Sequence, residues 1–192
     1  MAILISGLDI TPRPAFIEIK DYVPLSFRSY ESMLGGVRDV RLGGLSSSFL
    51  ELTLGLESNV LRGFTLLSFD TIHEPKAFDF MVEREGLPVL ALNSVVFSGR
   101  IGTQYCNLPM LFSVGFGIDF IELRFDELLN TAERSIACGQ VKFYINENSL
   151  LGIRVHGLRQ EQITSIKSMM AVDGSAGSST PNDAKISTPG SN

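Results

Sequence analysis

Tryptophan is absent from this chain, cysteine and histidine occur twice each, and lysine only five times. Two cysteines and two histidines are too few for a disulfide scaffold or a Cys/His zinc module. The phenylalanines sit in apolar runs rather than among basic residues, which offers little for base stacking. Acids outnumber bases, 21 Asp and Glu against 16 Lys and Arg, for a net charge of −5. That sign opposes pairing with phosphates, so no nucleic-acid partner is expected. No uninterrupted apolar run reaches the ~18 residues that a membrane helix needs. The N-terminal apolar run carries no basic segment ahead of it and stops at Asp9, unlike a secretory signal. Cys106 and Cys138, with no partner motif between them, fit two thiols in a reducing compartment. The expectation is a soluble cytoplasmic protein with no membrane insertion.

What is present is enough to fold. The 192 residues are 44% hydrophobic, with a mean hydropathy of +0.20, so apolar burial can offset the entropy of ordering. At ~100–200 residues per domain the length fits one unit. Its C-terminal stretch, DGSAGSSTPNDAKISTPGSN from Asp173 to Asn192, is dominated by Gly, Ser, Thr, Pro, Asn and Asp. It reads as a disordered tail, leaving one β-rich domain over residues 1–172.

Alternation organises that domain. Leu50, Leu52, Leu54 and Leu56 alternate with Glu51, Thr53 and Gly55. The same period of two recurs at Ile17–Ile19, Ile121–Phe125, Val141–Ile145 and Leu151–Val155. A period of two with one polar face predicts antiparallel strands. Asn146-Glu147-Asn148-Ser149 and Glu57-Ser58-Asn59 read as hairpin turns between such runs. The residues from Glu57 to Leu66 align with those from Glu147 to Val155 with one gap. A duplicated half-domain explains this, and so, more simply, do the ordinary demands of a turn followed by a strand. Helical spacing is found at Arg159–Ala171, where Ile163, Ile166, Met169 and Met170 form a stripe. It is also permitted at Asp126–Cys138, closed by Gly139, and ambiguous at Tyr22–Leu34. The predicted fold is α+β: an antiparallel sheet covered by two or three helices.

Chemistry-bearing residues are thinly spread. Gly35-Gly36 and Gly43-Gly44 are followed by no Lys-Ser or Lys-Thr, so a strand between two turns explains them better than a phosphate cradle. Asp70, His73 and Glu74 have acid–base residue types without a metal-ligand spacing. Cys138 and His156 are the remaining thiol–imidazole pair. None of these forms a recognisable catalytic constellation, and no cofactor or metal is expected. The segment from Gly86 to Ile118 holds one charged residue, Arg100. Two central strands buried on both faces and joined by a glycine-rich loop account for it; an exposed apolar patch meeting a partner is the other reading.

These features favour a non-enzymatic protein-binding module that sequesters a basic partner. Small acidic immunity proteins that neutralise toxins are an analogy of charge and size. Arg100 and Tyr105 are contact types favoured at interfaces, and Glu122, Glu133 and Glu147 are expected on an exposed acidic rim. A self-associating assembly subunit, a homo-oligomer built on the Gly86–Ile118 segment, is the alternative. A small hydrolase using His73 with Asp70 or Glu74 ranks last. Truncation after residue 172 is expected to leave the melting temperature unchanged. A large drop in a thermal melt would show that the tail packs on the domain.

Overall fold

The computed structural model describes residues 2–30, 35–44, 48–75, 82–92, 95–100, 104–125 and 132–171. Among them are fifteen strands and one helix, arranged as two sheets. This corrects the α+β expectation, because among the described residues no second or third helix covers a sheet. The segment Asp126–Cys138, expected as a helix, ends in a strand at Arg134–Cys138. Ala132 and Ile136 are four residues apart, and four is a multiple of the strand period as well as one helical turn. Gly139 turns a hairpin with φ near 55° instead of ending a helix. Tyr22–Leu34 likewise contains a strand, Val23–Arg28, whose Pro24 lies beside a register shift where a missing N–H is tolerated. Residues 126–131 and the predicted tail lie outside the described residues.

Two halves of the chain repeat one topology. β1 (Ile3–Asp9) comes first. Then β2 (Phe16–Lys20), β3 (Val23–Arg28), β4 (Val37–Gly43), β5 (Phe49–Gly55) and β6 (Leu61–Ser68) pair in the order β4-β5-β6-β3-β2. β7 (Ile72–His73), β8 (Val82–Glu85), β9 (Leu87–Leu90) and β10 (Gln104–Leu108) follow. Next, β11 (Ser113–Phe116), β12 (Phe120–Arg124), β13 (Arg134–Cys138), β14 (Val141–Asn146) and β15 (Ser149–His156) pair as β13-β14-β15-β12-β11. A parallel edge strand extends each set, β10 beside β4 and β8 beside β13.

The correspondence reaches single residues. Pairing passes from Thr53↔Gly63 to Leu54↔Leu61 in one half, and from Tyr144↔Gly152 to Ile145↔Leu150 in the other. Both halves thus carry the same irregularity beside a glycine. At Gly63 the reason is space, since a Cβ there would lie 2.7 Å from the Phe27 carbonyl oxygen. Arg28 faces Gly63 and Arg124 faces Gly152. Arg38 and Arg134 each donate to an asparagine side chain in the adjoining turn, Asn59 and Asn148. A shared turn would not bring along strand order, bulge and arginines together; a duplicated half-domain does.

The two sheets face each other across a common core. Phe27 and Phe143 approach with centroids 6.2 Å apart, and Phe69 and Phe116 with centroids 5.7 Å apart. β1 and β9 link the sheets: β1 pairs β15 and β9, and Val89 of β9 bridges Val60 beside β6. The helix α1 (Gln160–Ala171) packs on β3 and buries Ile163 and Ile166 completely. Arg159 is a poor cap by type, but Gln162 accepts from its backbone N–H at 2.9 Å, the return half of a capping box.

The Gly86–Ile118 segment is not a pair of doubly buried central strands. It supplies β9, the edge strand β10 and β11, and it exposes Val96, Leu111 and Ile118 at 85%, 79% and 87%. Leu52, by contrast, is fully buried in the middle of the smaller sheet between Val40 and Phe64. Leu52→Ala is expected to cost ~2–5 kcal/mol in urea denaturation, the loss of transfer energy plus a cavity. A cost below ~0.5 kcal/mol, typical of a surface site, would contradict this packing.

Candidate functional site

On the larger sheet the strand face turned away from the core carries the molecule's densest group of ionisable side chains among the described residues. Registers align His73, Gly115, Glu122, Arg154 and Lys142 across β7, β11, β12, β15 and β14. The next row aligns Ser113, Arg124, Gly152 and Tyr144. Their chain neighbours Val114, Ile121, Leu123, Ile153 and Val155 point to the other face and are fully buried in the core. Alternation therefore sends every polar residue of these strands to one surface.

Glu122 is the hub, with no exposed surface. Its Oε1 accepts from His73 Nε2 at 2.8 Å and from Arg124 Nη2 at 3.1 Å. Its Oε2 accepts from Arg154 Nε at 3.0 Å and from Arg154 Nη2. His73 reaches Glu122 across Gly115, where a Cβ would sit 2.5 Å from Nε2. The imidazole occupies the space that this glycine leaves. Arg154 lies between two rings, 4.2 Å from the centroid of Phe120 and 5.3 Å from that of Tyr144. Burial alone would raise the Glu122 carboxyl, but the hydrogen bonds from His73, Arg154 and Arg124 and the Arg154 charge hold it below its ordinary range. Burial pushes the Tyr144 hydroxyl up to about 12. Burial, with the Arg154 and Lys142 charges, lowers His156.

Ser113 Oγ lies 2.9 Å from His73 Nδ1. With Nε2 donating to Glu122, Nδ1 is the ring nitrogen that faces the serine hydroxyl, a Ser–His–carboxylate chain by residue type. A triad acid stabilises the developing imidazolium through its own charge, whereas two guanidinium groups already neutralise Glu122. The arrangement clamps four strands together more readily than it moves a proton.

The residues expected at a site are dispersed. Asp70 bonds Ser48 and Thr71, and those hydrogen bonds lower its carboxyl. Neither Asp70 nor Glu74 joins His73, whose carboxylate partner lies 49 residues onward. Cys138 pairs with Val141 on the core face, whereas His156 stacks beside Phe120 on the opposite one, so that pair is not formed. Burial raises both thiols, Cys106 and Cys138. Among the described residues no group of His, Cys, Asp and Glu could hold a metal. Arg100 is exposed beside Ser98, which exchanges both backbone hydrogen bonds with Tyr105. Tyr105 is half-buried on β10 with the Arg41 guanidinium 4.3 Å from its ring centroid. Glu133 and Glu147 are exposed together at one end of β14, where Glu133 N–H donates to Ile145 and Arg134 donates to the Glu147 carbonyl. Glu122 is no rim residue: two arginines and a histidine bury it. Sequence reasoning missed Arg154, Arg124 and Ser113, although the alternation around Glu122 and Arg154 already placed them on one face.

No known protein family matches the chain, and none of the curated proteins is similar to it.

The cluster makes stability depend on acid. Because the folded state holds Glu122 below its ordinary carboxylate range, its contribution is complete above about pH 5 and is lost as pH falls through the lowered value. Glu122→Gln removes the charge that Arg154 and the half-buried Arg124 share, at an expected cost of ~3–5 kcal/mol at pH 7. Its urea midpoint should then change less than the wild type's between about pH 5 and 3. Parallel pH profiles for the two proteins would contradict the clamp.

Proposed function

We propose that this protein is a non-catalytic binding module that engages a basic protein partner through the β7–β11 edge of the larger sheet. The supporting observation is the set of exposed apolar side chains around that edge. Ile72 on the terminal strand β7 is 65% exposed, and Leu111 and Ile118, just before and just after β11, are 79% and 87% exposed. Ile72 faces Val114, so all three lie within four residues of one strand. Exposed Asp70, Glu74 and Asp119 flank Ile72 and Ile118 in sequence. An apolar centre with an acidic rim suits a partner whose own rim is basic, and the net charge of −5 speeds encounter with it. We place this activity in the cytoplasm, where Cys106 and Cys138 remain thiols. No helix among the described residues is long and apolar enough to cross a membrane.

Tagged wild-type protein and a Leu111→Asp/Ile118→Asp variant, shown to melt at the same temperature, would be compared for capture from the native host's lysate. The wild type is expected to retain one basic protein in equal amount and to release it as salt rises, while the variant retains none. Equal capture by both would move the interface elsewhere. Retention of only a second copy of the chain would replace the basic partner with self-association.

A further inference from the structure

The duplicated halves differ at one place where a cleft opens. About 330 Å³ of space lies beside β1, β8 and β13, floored by Ile5, Ile136 and Ile145 and flanked by Arg84 and Arg134. Register fixes the counterparts of these residues in the other half. Arg134 pairs with Ile145 as Arg38 pairs with Leu54. Ile136 corresponds to Val40, and Ile5 to Leu90, through the matched bonds Ile5 N–H to Asn148 and Leu90 N–H to Asn59. Arg84 on the edge strand faces Ile136, where Cys106 faces Val40.

In the first half the corresponding place is filled from within. The Arg38 guanidinium lies 4.7 Å from the Phe97 ring centroid, and Leu92, Val95 and Phe97 pack against the core. Cys106 there is only 5% exposed. In the second half Arg84 replaces that buried thiol and is exposed. Neither Arg84 nor Arg134 has a carboxylate partner among the described residues, although the chain carries more acids than bases. Arg134 is held by the Glu147 carbonyl and the Asn148 side chain, both neutral. The cleft thus combines three isoleucines in a lining that also includes Ser6, Ser135 and Asn148, a positioned guanidinium, and a second guanidinium with no carboxylate partner among the described residues. That is the pattern of a small-ligand site, whose volumes run from about 300 to 1,000 Å³.

We propose that this cleft binds a small aromatic carboxylic acid. Its ring would lie over Ile5, Ile136 and Ile145 against the Arg134 guanidinium, the place that Phe97 takes beside Arg38. Its carboxylate would pair with Arg84. An arginine stacks on an aromatic face and pairs a carboxylate in two-pronged fashion, and a lysine does neither as well. This site is separate from the β7–β11 edge and does not depend on the reading given to that edge.

The test is isothermal titration of the full chain with 3-phenylpropionate, its neutral amide and propionate. 3-Phenylpropionate is expected to bind one equivalent with a dissociation constant at or below ~1 mM. The amide, lacking the charge, and propionate, lacking the ring, should each bind about tenfold more weakly or not at all. Arg84→Gln, an exposed edge-strand substitution, should weaken 3-phenylpropionate about tenfold with the melting temperature unchanged. Arg38→Gln in the filled half should leave the affinity as it is. Equal binding of acid and amide, or affinity unaffected by Arg84→Gln, would overturn the assignment, as would no heat with any of the three compounds.

Discussion

Ile5 and Leu90 face each other in the antiparallel pair β1–β9, and they are equivalent residues of the two halves. An antiparallel pair between counterparts places an approximate two-fold axis between them. The strands do not stay with their own halves. β1 pairs with β15 of the second half, while β9 bridges Val60 of the first. Each half therefore closes its sheet on a strand that the other half supplies. The single core, in which Phe27 meets Phe143, follows from that exchange. Neither half has a complete sheet without its neighbour.

From this common frame the two outward faces diverge. Register matches Glu122 with Ser26, Arg154 with Thr65 and Tyr144 with Thr53. The smaller sheet keeps short hydroxyl side chains at these positions, which water can solvate. The larger sheet buries an ionised carboxylate there, and that is tolerable only because three donors meet both of its oxygens. Gly115 is part of the same solution, because only a residue without Cβ lets His73 cross to Glu122. The same divergence leaves the second half's cleft open beside Arg134 where the first half's is closed by Phe97.

The strands were legible in the sequence because one face of each is apolar and one is not. Leu50–Leu56, Ile121–Phe125 and Val141–Ile145 read directly as they fold. The surplus helix at Asp126–Cys138 arose where spacings of four satisfy both periods, so periodicity could not choose between them. α1 was legible because Ile163 and Ile166 lie three apart, a spacing no strand face repeats. The site was less legible than the fold. His73 sought its carboxylates at Asp70 and Glu74 nearby, whereas strand order brought Glu122 to it from another hairpin. The charge of Glu122 points to an exposed position, and charge alone does not reveal three donors converging from three strands. The hairpin likeness was visible, but its extent rests on bulges and bonds that no short alignment contains.

The exchange of first strands also governs when the molecule can be finished during synthesis. Leu4 leaves the ribosome 145 residues ahead of its pairing partner Ser149, with most of the described chain made in between. β4 must likewise wait for β10, which is synthesised after the whole first half. Pairings this far apart in sequence lose much chain entropy before they gain contact, which slows folding. Until β15 emerges, β1 presents an unfilled strand edge to its surroundings, and during that interval a holding chaperone has something to grip.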